Sequence, residues 1–508
     1  MKKKSTINTK NSFFAKYAII NLLGQGLIVI VGILAIPILI NGLGTERFGI
    51  LTLAWAVTGY FSIFDLGIGR AMTKIISERL GRGELKDIPS VVWSGILFML
   101  IIGFTGTLIL YALSPYLVED ALTIPIKLQS ETIKAFILLA FSIPIVVTAT
   151  SLRGILEAYQ RFDLMNFVRI PLGILTFVSP LIVLQFSKNI IFIVASLVAI
   201  RFIEWLVNLV LCFIIIPSLR EKIRVKIVLL KELMSFGGWI TVSNVAGPLI
   251  LYLDRFLIGS LISLTAVTYY TAPFELNSRL MIIPGAVVGV LFSAFSATYE
   301  QDRDQSTKMF FSGLKYTYIS LFPIILLIVV FAYEGLELWL GKEFALESTS
   351  VLQLLAFGSI LNCLTYVPSA LVQAAGRPDL TGKLHILELP FYLIALFLLV
   401  KFFGIEGAAF AYVLRVSFDT IILLIMAIRL LSVTKSIKRL FVFIIGTIPL
   451  IIISAFLPIS LFIKCLFTFL TIFTFLILSW KIILDQGERN FIINYIKDKI
   501  FNKKIGVQ

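Results

Sequence analysis

The residues of this chain that could do chemistry are few, and most are charges set in apolar surroundings. Arg201 and Glu204 are spaced i, i+3, while Glu275 with Arg279 and Arg415 with Asp419 are spaced i, i+4. On a helix those spacings put both partners on one face, where opposite charges neutralise each other. Asp254 and Arg255 are adjacent, so their side chains point roughly 100° apart and each must find a partner elsewhere. Asp65 and Arg70 lie in the stretch FSIFDLGIGRAMTKIISERLGRGE, from Phe61 to Glu84. A guanidinium offers a planar fork that suits phosphate oxygens. A buried carboxylate can carry a proton or, when ionised, hold sodium. The substrate-binding candidates are therefore Arg70, Arg201, Arg255, Arg279 and Arg415, and the ion-coupling candidates Asp65, Asp254, Glu275 and Asp419. The same pairs could simply tie helices together. Glu388 is expected at a membrane interface.

The elements that must position these charges are membrane helices. The chain has 508 residues, 59% of them hydrophobic and 14% charged, with 43 phenylalanines and a mean hydropathy of +1.00. A soluble fold could not hide that much apolar surface. Fourteen apolar runs of near-spanning length lie between residues 17 and 484, with the longest non-cytoplasmic loops near 114–132 and 334–349. The first run, 17–40, is too long for a signal-peptide core and is expected to stay as a span. With the N-terminus placed in the cytoplasm, 32 Lys and Arg residues fall on the cytoplasmic side and 7 on the other. That bias predicts both termini inside and explains the net charge of +15 as topology, with no nucleic-acid partner. No phosphate-binding glycine loop is present, the three cysteines form no framework, and His385 is the sole histidine. No cofactor is expected; a proton or sodium ion is the candidate coupling species.

A short repeat organises the runs. Arg161-Phe162-Asp163-Leu164 follows the fourth run and Arg377-Pro378-Asp379-Leu380 the tenth, each leading into a run with an early proline, Pro171 or Pro390. The expected architecture is an all-α polytopic membrane protein with about 14 transmembrane helices. It comprises two six-helix lobes (1–220 and 221–431) around a central cavity, two extra spans (432–484) and a tail (485–508). In the tail, Ile492, Ile496 and Ile500 recur among lysines, which reads as a cationic amphipathic helix on the inner leaflet or as a solvated end. Interior prolines, among them Pro37, Pro144, Pro248, Pro284, Pro323 and Pro368, permit kinks that suit alternating access or are plain structural bends.

Three stretches carry a resemblance. FDLGIGRAMTKIISERLGRGE (64–84), LDRFLIGSL (253–261) and YYTAPFELNSRLMIIPG (269–285) resemble the bacterial polysaccharide (O-antigen) flippases of the multidrug/oligosaccharidyl-lipid/polysaccharide exporter superfamily. The resemblance implies translocation of an undecaprenyl-diphosphate-linked oligosaccharide from the inner to the outer leaflet of the cytoplasmic membrane. It also implies two six-helix lobes, roles for Asp65, Arg70, Asp254, Arg255, Glu275 and Arg279, and a pathway shared with glycosyltransferases and a polysaccharide polymerase. The last two spans depart from the twelve of many relatives. The alternatives are a cation-coupled multidrug exporter of the same superfamily and a membrane-embedded polysaccharide polymerase or ligase.

Overall fold

A computed structural model of the chain describes residues 24, 26–61, 68–159, 161–220, 223, 225, 226, 229, 252–299, 302–431, 437–455 and 460–490. Among them the regular structure is entirely helical. In order, the helices are α1 (Gly26–Leu43), α2 (Thr45–Tyr60), α3 (Ile68–Arg82), α4 (Ile88–Tyr116), α5 (Ile126–Ala158), α6 (Phe162–Leu184), α7 (Ile190–Ile215) and α8 (252–261). There follow α9 (Leu264–Ser278), α10 (Ile282–Thr298), α11 (Arg303–Val330), α12 (Ala332–Leu340), α13 (Lys342–Ala374), α14 (Pro378–Leu431), α15 (Ile437–Ser454) and α16 (Leu461–Leu478). Nine stretches among the described residues are long and apolar enough to cross a membrane.

The outward faces show what solvent these helices meet. On α4, Leu97, Ile101, Phe104 and Leu108 form an exposed stripe at i, i+4, i+7 and i+11. Phe462, Leu466, Phe469, Phe473 and Leu476 do the same on α16. Such apolar stripes are untenable in water and belong against lipid. The opposite face of α4 is small: a Cβ added at Gly103 would lie 2.6 Å from Pro144 Cα on α5, and Thr107 Oγ1 donates to Ala140 O at 2.8 Å. Small residues let the two backbones approach, which is how membrane helices gain packing energy without a hydrophobic driving force. The protein is a multi-pass membrane protein.

Several expected loops are helical. The stretch near 114–132 narrows to residues 122–125 between a π-turn, Leu117–Ala121, and α5. The stretch near 334–349 is mostly α12 and the start of α13, separated by Gly341 at φ +96°. The charged segment after the second span is helix α3, with Ile68, Ala71, Met72, Ile75 and Ile76 buried against α4 and α5. Its apolar positions recur with helical spacing, and hydropathy averaged over so many charges conceals them. Between α9 and α10 the chain tightens into a 3-10 turn, Arg279–Met281. Pro284 accounts for it, because its ring crowds the carbonyl four residues back and it has no N–H to donate. Two helices meet inside α14 at Gly404, whose φ of +61° suits a residue without a side chain.

Contacts divide the chain into two compact units, Met1–Leu276 with Gly382–Ala411, and Asn277–Thr381 with Tyr412–Gln508. In the first, α5 packs against α4, α7 and α3. Glu131 on α5 ties it to its neighbours: Oε2 accepts from Arg47 on α2 at 3.2 Å, and Oε1 accepts from the backbone N–H of Ile190 at the start of α7. Glu388, expected at an interface, is buried in this unit. In the second unit α13 packs against α10, α11 and α12, while α15 and α16 pack on α11. Phe322 and Phe475 stack at 4.0 Å between α11 and α16, Tyr318 bonds to Thr447 on α15, and Lys464 reaches Glu334 at 2.7 Å. The two added helices are thus anchored to α11 by aromatic packing and the Tyr318–Thr447 bond, and to α12 by the Lys464–Glu334 pair.

The repeat seen in four residues extends through whole elements. α5 and α13 each have 33 residues, and their bounds differ by 216 at both ends, from 126 to 342 and from 158 to 374. After each, the arginine N–H reaches five residues back, Arg161 to Leu156 O at 2.9 Å and Arg377 to Val372 O at 3.1 Å. Both arginines then fork onto the aspartate two residues on: Arg161 to Asp163 at 3.0 and 2.8 Å, Arg377 to Asp379 at 3.1 and 3.4 Å. The R-x-D motif closes the turn between consecutive helices, with the aspartate in the first turn of the second, where a negative charge suits the helix dipole.

Candidate functional site

The candidate site is built in the first unit around Arg255. α8 carries Tyr252, Asp254 and Arg255; α9 carries Tyr270, Phe274 and Glu275. The adjacent pair is separated as expected, each side chain meeting the next helix. Asp254 Oδ2 accepts from the Tyr270 hydroxyl at 2.7 Å, and its Oδ1 accepts from the backbone N–H of Arg255 at 2.7 Å. The Arg255 guanidinium donates to Glu275 Oε1 at 3.1 Å. It also lies 5.2 Å from the Tyr252 ring and 5.1 Å from the Phe274 ring. Arg255 is 2% exposed, whereas the Glu275 side chain is 22% exposed. A buried guanidinium needs this company, because taking an unpaired charge out of water costs several kcal/mol, on the order given by ion desolvation.

The guanidinium faces a cavity of about 220 Å³. Its wall is drawn from Trp55 and Thr58 on α2, Thr176 and Phe177 on α6, Arg201 on α7, Tyr252 and Arg255 on α8, and Glu275 on α9. That volume far exceeds the ~10–15 Å³ that one water needs, so the helices here leave a space fit for polar occupants. The lining carries two guanidinium groups against one carboxylate. Arg201 itself donates to Glu204 at 2.9 Å, the contact its i, i+3 spacing predicts, and Glu204 also lies 3.7 Å from Arg153. Counted over all the intramembrane charges named from the sequence, five arginines balance five carboxylates; at this wall each arginine has a carboxylate partner, Arg255 in Glu275 and Arg201 in Glu204.

The other candidates are placed elsewhere. Arg279 sits half-buried in the 3-10 turn before α10, in the second unit. Arg415 and Asp419 lie on α14 in that unit, Asp419 buried and Arg415 with its guanidinium 5.7 Å from the Tyr412 ring. Beside them the Tyr412 hydroxyl meets Asn362 Nδ2 at 3.2 Å and Ser359 Oγ at 3.4 Å. Arg70 belongs to α3, and Asp65 lies outside the described residues, as do residues 491–508 of the tail expected over 485–508. Of the candidates, Asp254, Arg255, Glu275 and Arg201 converge in one unit. Sequence reasoning missed Trp55, Thr58, Thr176, Phe177, Tyr252 and Tyr270. Tyr252 had a signal, an aromatic two residues before a charged pair; the others sit in largely apolar runs with nothing local to mark them.

This combination of a helical membrane fold and a polar, arginine-lined cavity defines a transporter-like architecture, and comparison with known proteins gives its family. Residues 14–299 match the family described as polysaccharide biosynthesis protein, and the chain belongs to that family. It is 29% identical over 426 residues to a putative O-antigen transporter of Shigella flexneri, covering 83% of this chain and 99% of that protein. It is 24% identical over 193 residues to a probable low-salt glycan biosynthesis flippase of Haloferax volcanii, 38% of this chain and 41% of that one. Among solved structures, an inward-facing multidrug resistance MATE family transporter of the MOP superfamily matches with a TM-score of 0.70 at 16% identity. That match covers 80% of this chain and 94% of that one. A MOP superfamily transporter from Pyrococcus furiosus matches with a TM-score of 0.61 at 15% identity, over 83% and 96%. These two likenesses concern the fold.

Proposed function

We propose that the protein is a flippase that moves an undecaprenyl-diphosphate-linked oligosaccharide across the bacterial cytoplasmic membrane, by alternating access, for surface polysaccharide synthesis. The observation that carries this reading is the polar cavity lined by Arg255 and Arg201 in a chain of the polysaccharide biosynthesis family. A diphosphate cannot enter hydrocarbon unaided, since desolvating it costs many kcal/mol, on the order of an ion's transfer to an apolar medium. Guanidinium groups in a polar cavity supply hydrogen bonds and charge in place of water, while the polyprenyl tail stays in lipid.

Arg255 and Arg201 hold the diphosphate in this reading, and Glu275 is the resident counter-ion that the substrate displaces. A displaced carboxylate takes up a proton or sodium ion, which links substrate exchange to an ion gradient; Asp254, held by Tyr270, supports the same network. By their position at the end of the second apolar run, Arg70 and Asp65 are assigned to an inner mouth, and Arg279, Arg415 and Asp419 to the second repeat. The lysine and arginine bias supports cytoplasmic termini. Glycosyltransferases would supply the lipid-linked substrate and a polymerase would consume it, with no chemistry performed by this chain.

The test is Arg255→Ala in the native host. The expected result is loss of surface glycan with membrane insertion and protein level unchanged. Normal surface glycan in that strain rules out a substrate role for Arg255. A cation-coupled multidrug exporter is the rival reading; a deletion strain that keeps its glycan and becomes drug-sensitive would establish it instead.

A further inference from the structure

The chain leaves α16 through a built corner. Leu476, Ile477 and Leu478 at the end of α16 are exposed, so this turn of the helix faces lipid. Trp480 and Lys481 follow in the π-turn Ser479–Ile483, and such residues gather where hydrocarbon gives way to headgroups. Four residues after Lys481, Asp485 starts a new helix whose described part is 486–490. Asp485 Oδ1 accepts from the backbone N–H of Glu488, and Glu488 Oε2 from that of Asp485, both at 2.9 Å. Arg489 donates to Leu484 O and to Lys481 O, each at 2.8 Å. Glu488 Oε1 fastens the corner to α11, accepting from Lys315 and from the Tyr316 hydroxyl. Lys315 is 8% exposed, and an ammonium buried to that depth needs its counter-ion. A corner held in this way fixes the level from which the chain continues, and that level is the headgroups.

The sequence that continues is cationic and periodically apolar. Residues 491–508 lie outside the described residues; they carry Lys497, Lys499, Lys503 and Lys504 against the single acid Asp498, with Ile492, Ile496 and Ile500 every four residues. A solvated end needs neither the isoleucines nor a fixed start. An acidic protein partner would satisfy the lysines but gives no reason for the segment to start among headgroups. An anionic leaflet accounts for both, with the isoleucines at the acyl boundary and the lysines at the phosphates.

We propose that the segment from Asp485 onward binds the anionic phospholipid surface beside α16, and that the Glu488 corner ties this grip to α11. The test is hydrogen exchange of the full-length protein in nanodiscs of phosphatidylcholine, alone or with about 30% of the anionic phosphatidylglycerol. A net charge of +3 beyond residue 490, at about fivefold per charge near an anionic surface, predicts exchange over 491–508 slowed about tenfold or more by the anionic lipid. Salt at about 0.5 M should reverse the slowing. Changing all four lysines to glutamine should abolish the lipid dependence with the melting temperature unchanged. Glu488→Gln should speed exchange at 485–490. Equal exchange in the two lipids overturns the proposal: fast in both means a solvated end, and protected in both means a protein partner. A lipid effect that survives loss of the four lysines also overturns it, and unchanged exchange at 485–490 in Glu488→Gln overturns the tie to α11.

Discussion

The substitution that most directly tests the exchange at Arg255 is Glu275→Gln. In the wild type an incoming phosphate must displace a carboxylate that accepts from the guanidinium at 3.1 Å. Glutamine keeps the shape and can still accept from Arg255, so the bond stays charged on the guanidinium side and only its ion-pair part is lost. That part is worth about 1 kcal/mol for a partly exposed carboxylate, so losing it lowers the cost of displacement by that amount, which corresponds to roughly fivefold tighter binding. The assay is binding of bare undecaprenyl diphosphate to protein in nanodiscs, with thermal melting as the control for folding. The variant should bind the probe more tightly while its transport loses dependence on the ion gradient. Binding that is unchanged or weaker in a well-folded Glu275→Gln protein refutes the counter-ion argument, whatever transport does.

Two further outcomes follow from other contacts. Tyr270→Phe removes the hydroxyl that donates to Asp254 in a buried setting and should cost about 1.5–3 kcal/mol of stability, read by thermal melting. Combined with Asp254→Asn the losses should be less than additive, because both act on one hydrogen bond; full additivity would argue against it. At the chain's other end, burial opposes ionisation of Glu488, yet hydrogen bonds from Lys315 and Tyr316 outweigh it and hold its pKa below the usual 4.5. A carboxylate with a depressed folded pKa stabilises fully above its unfolded value and loses that contribution as pH falls through the folded one. Residues 485–490 should therefore stay docked at neutral pH and open on acidification below about 4.5. Hydrogen exchange along this segment measures the opening, and Glu488→Gln should remove its pH dependence.

Asp485 and Glu488 show how much of the structure is legible locally. Each side chain accepts from the other's backbone N–H at 2.9 Å, a reciprocal helix start that four residues of sequence are enough to specify. The R-x-D turns are the same kind of feature: the motif and its offset of 216 marked two equivalent corners, and the helices around them repeat with it. α3 was less legible, because its buried face and its charges share one short segment. The partner of Glu275 was less legible again. Its spacing pointed to Arg279, and nothing in that spacing announces that the carboxylate accepts from Arg255 on α8.

By itself the sequence determined the solvent, the class and the cast. Its composition requires lipid around the helices, its R-x-D-L repeat marks two corners that α5 and α13 share at the same offset, and its three signature stretches resemble the family to which the chain belongs. Charges in apolar runs are conspicuous because each must be compensated, so Asp254, Arg255, Glu275 and Arg201 could be named from residue type alone. The tertiary structure decided which of them share a wall, and that Trp55, Thr58, Thr176 and Phe177 share it too. Helical periodicity fixes which residues occupy one face of one helix. The meeting of α2, α6, α7, α8 and α9 around a cavity depends on how those faces pack, and neutral lining residues leave no mark in a sequence that is apolar on every side.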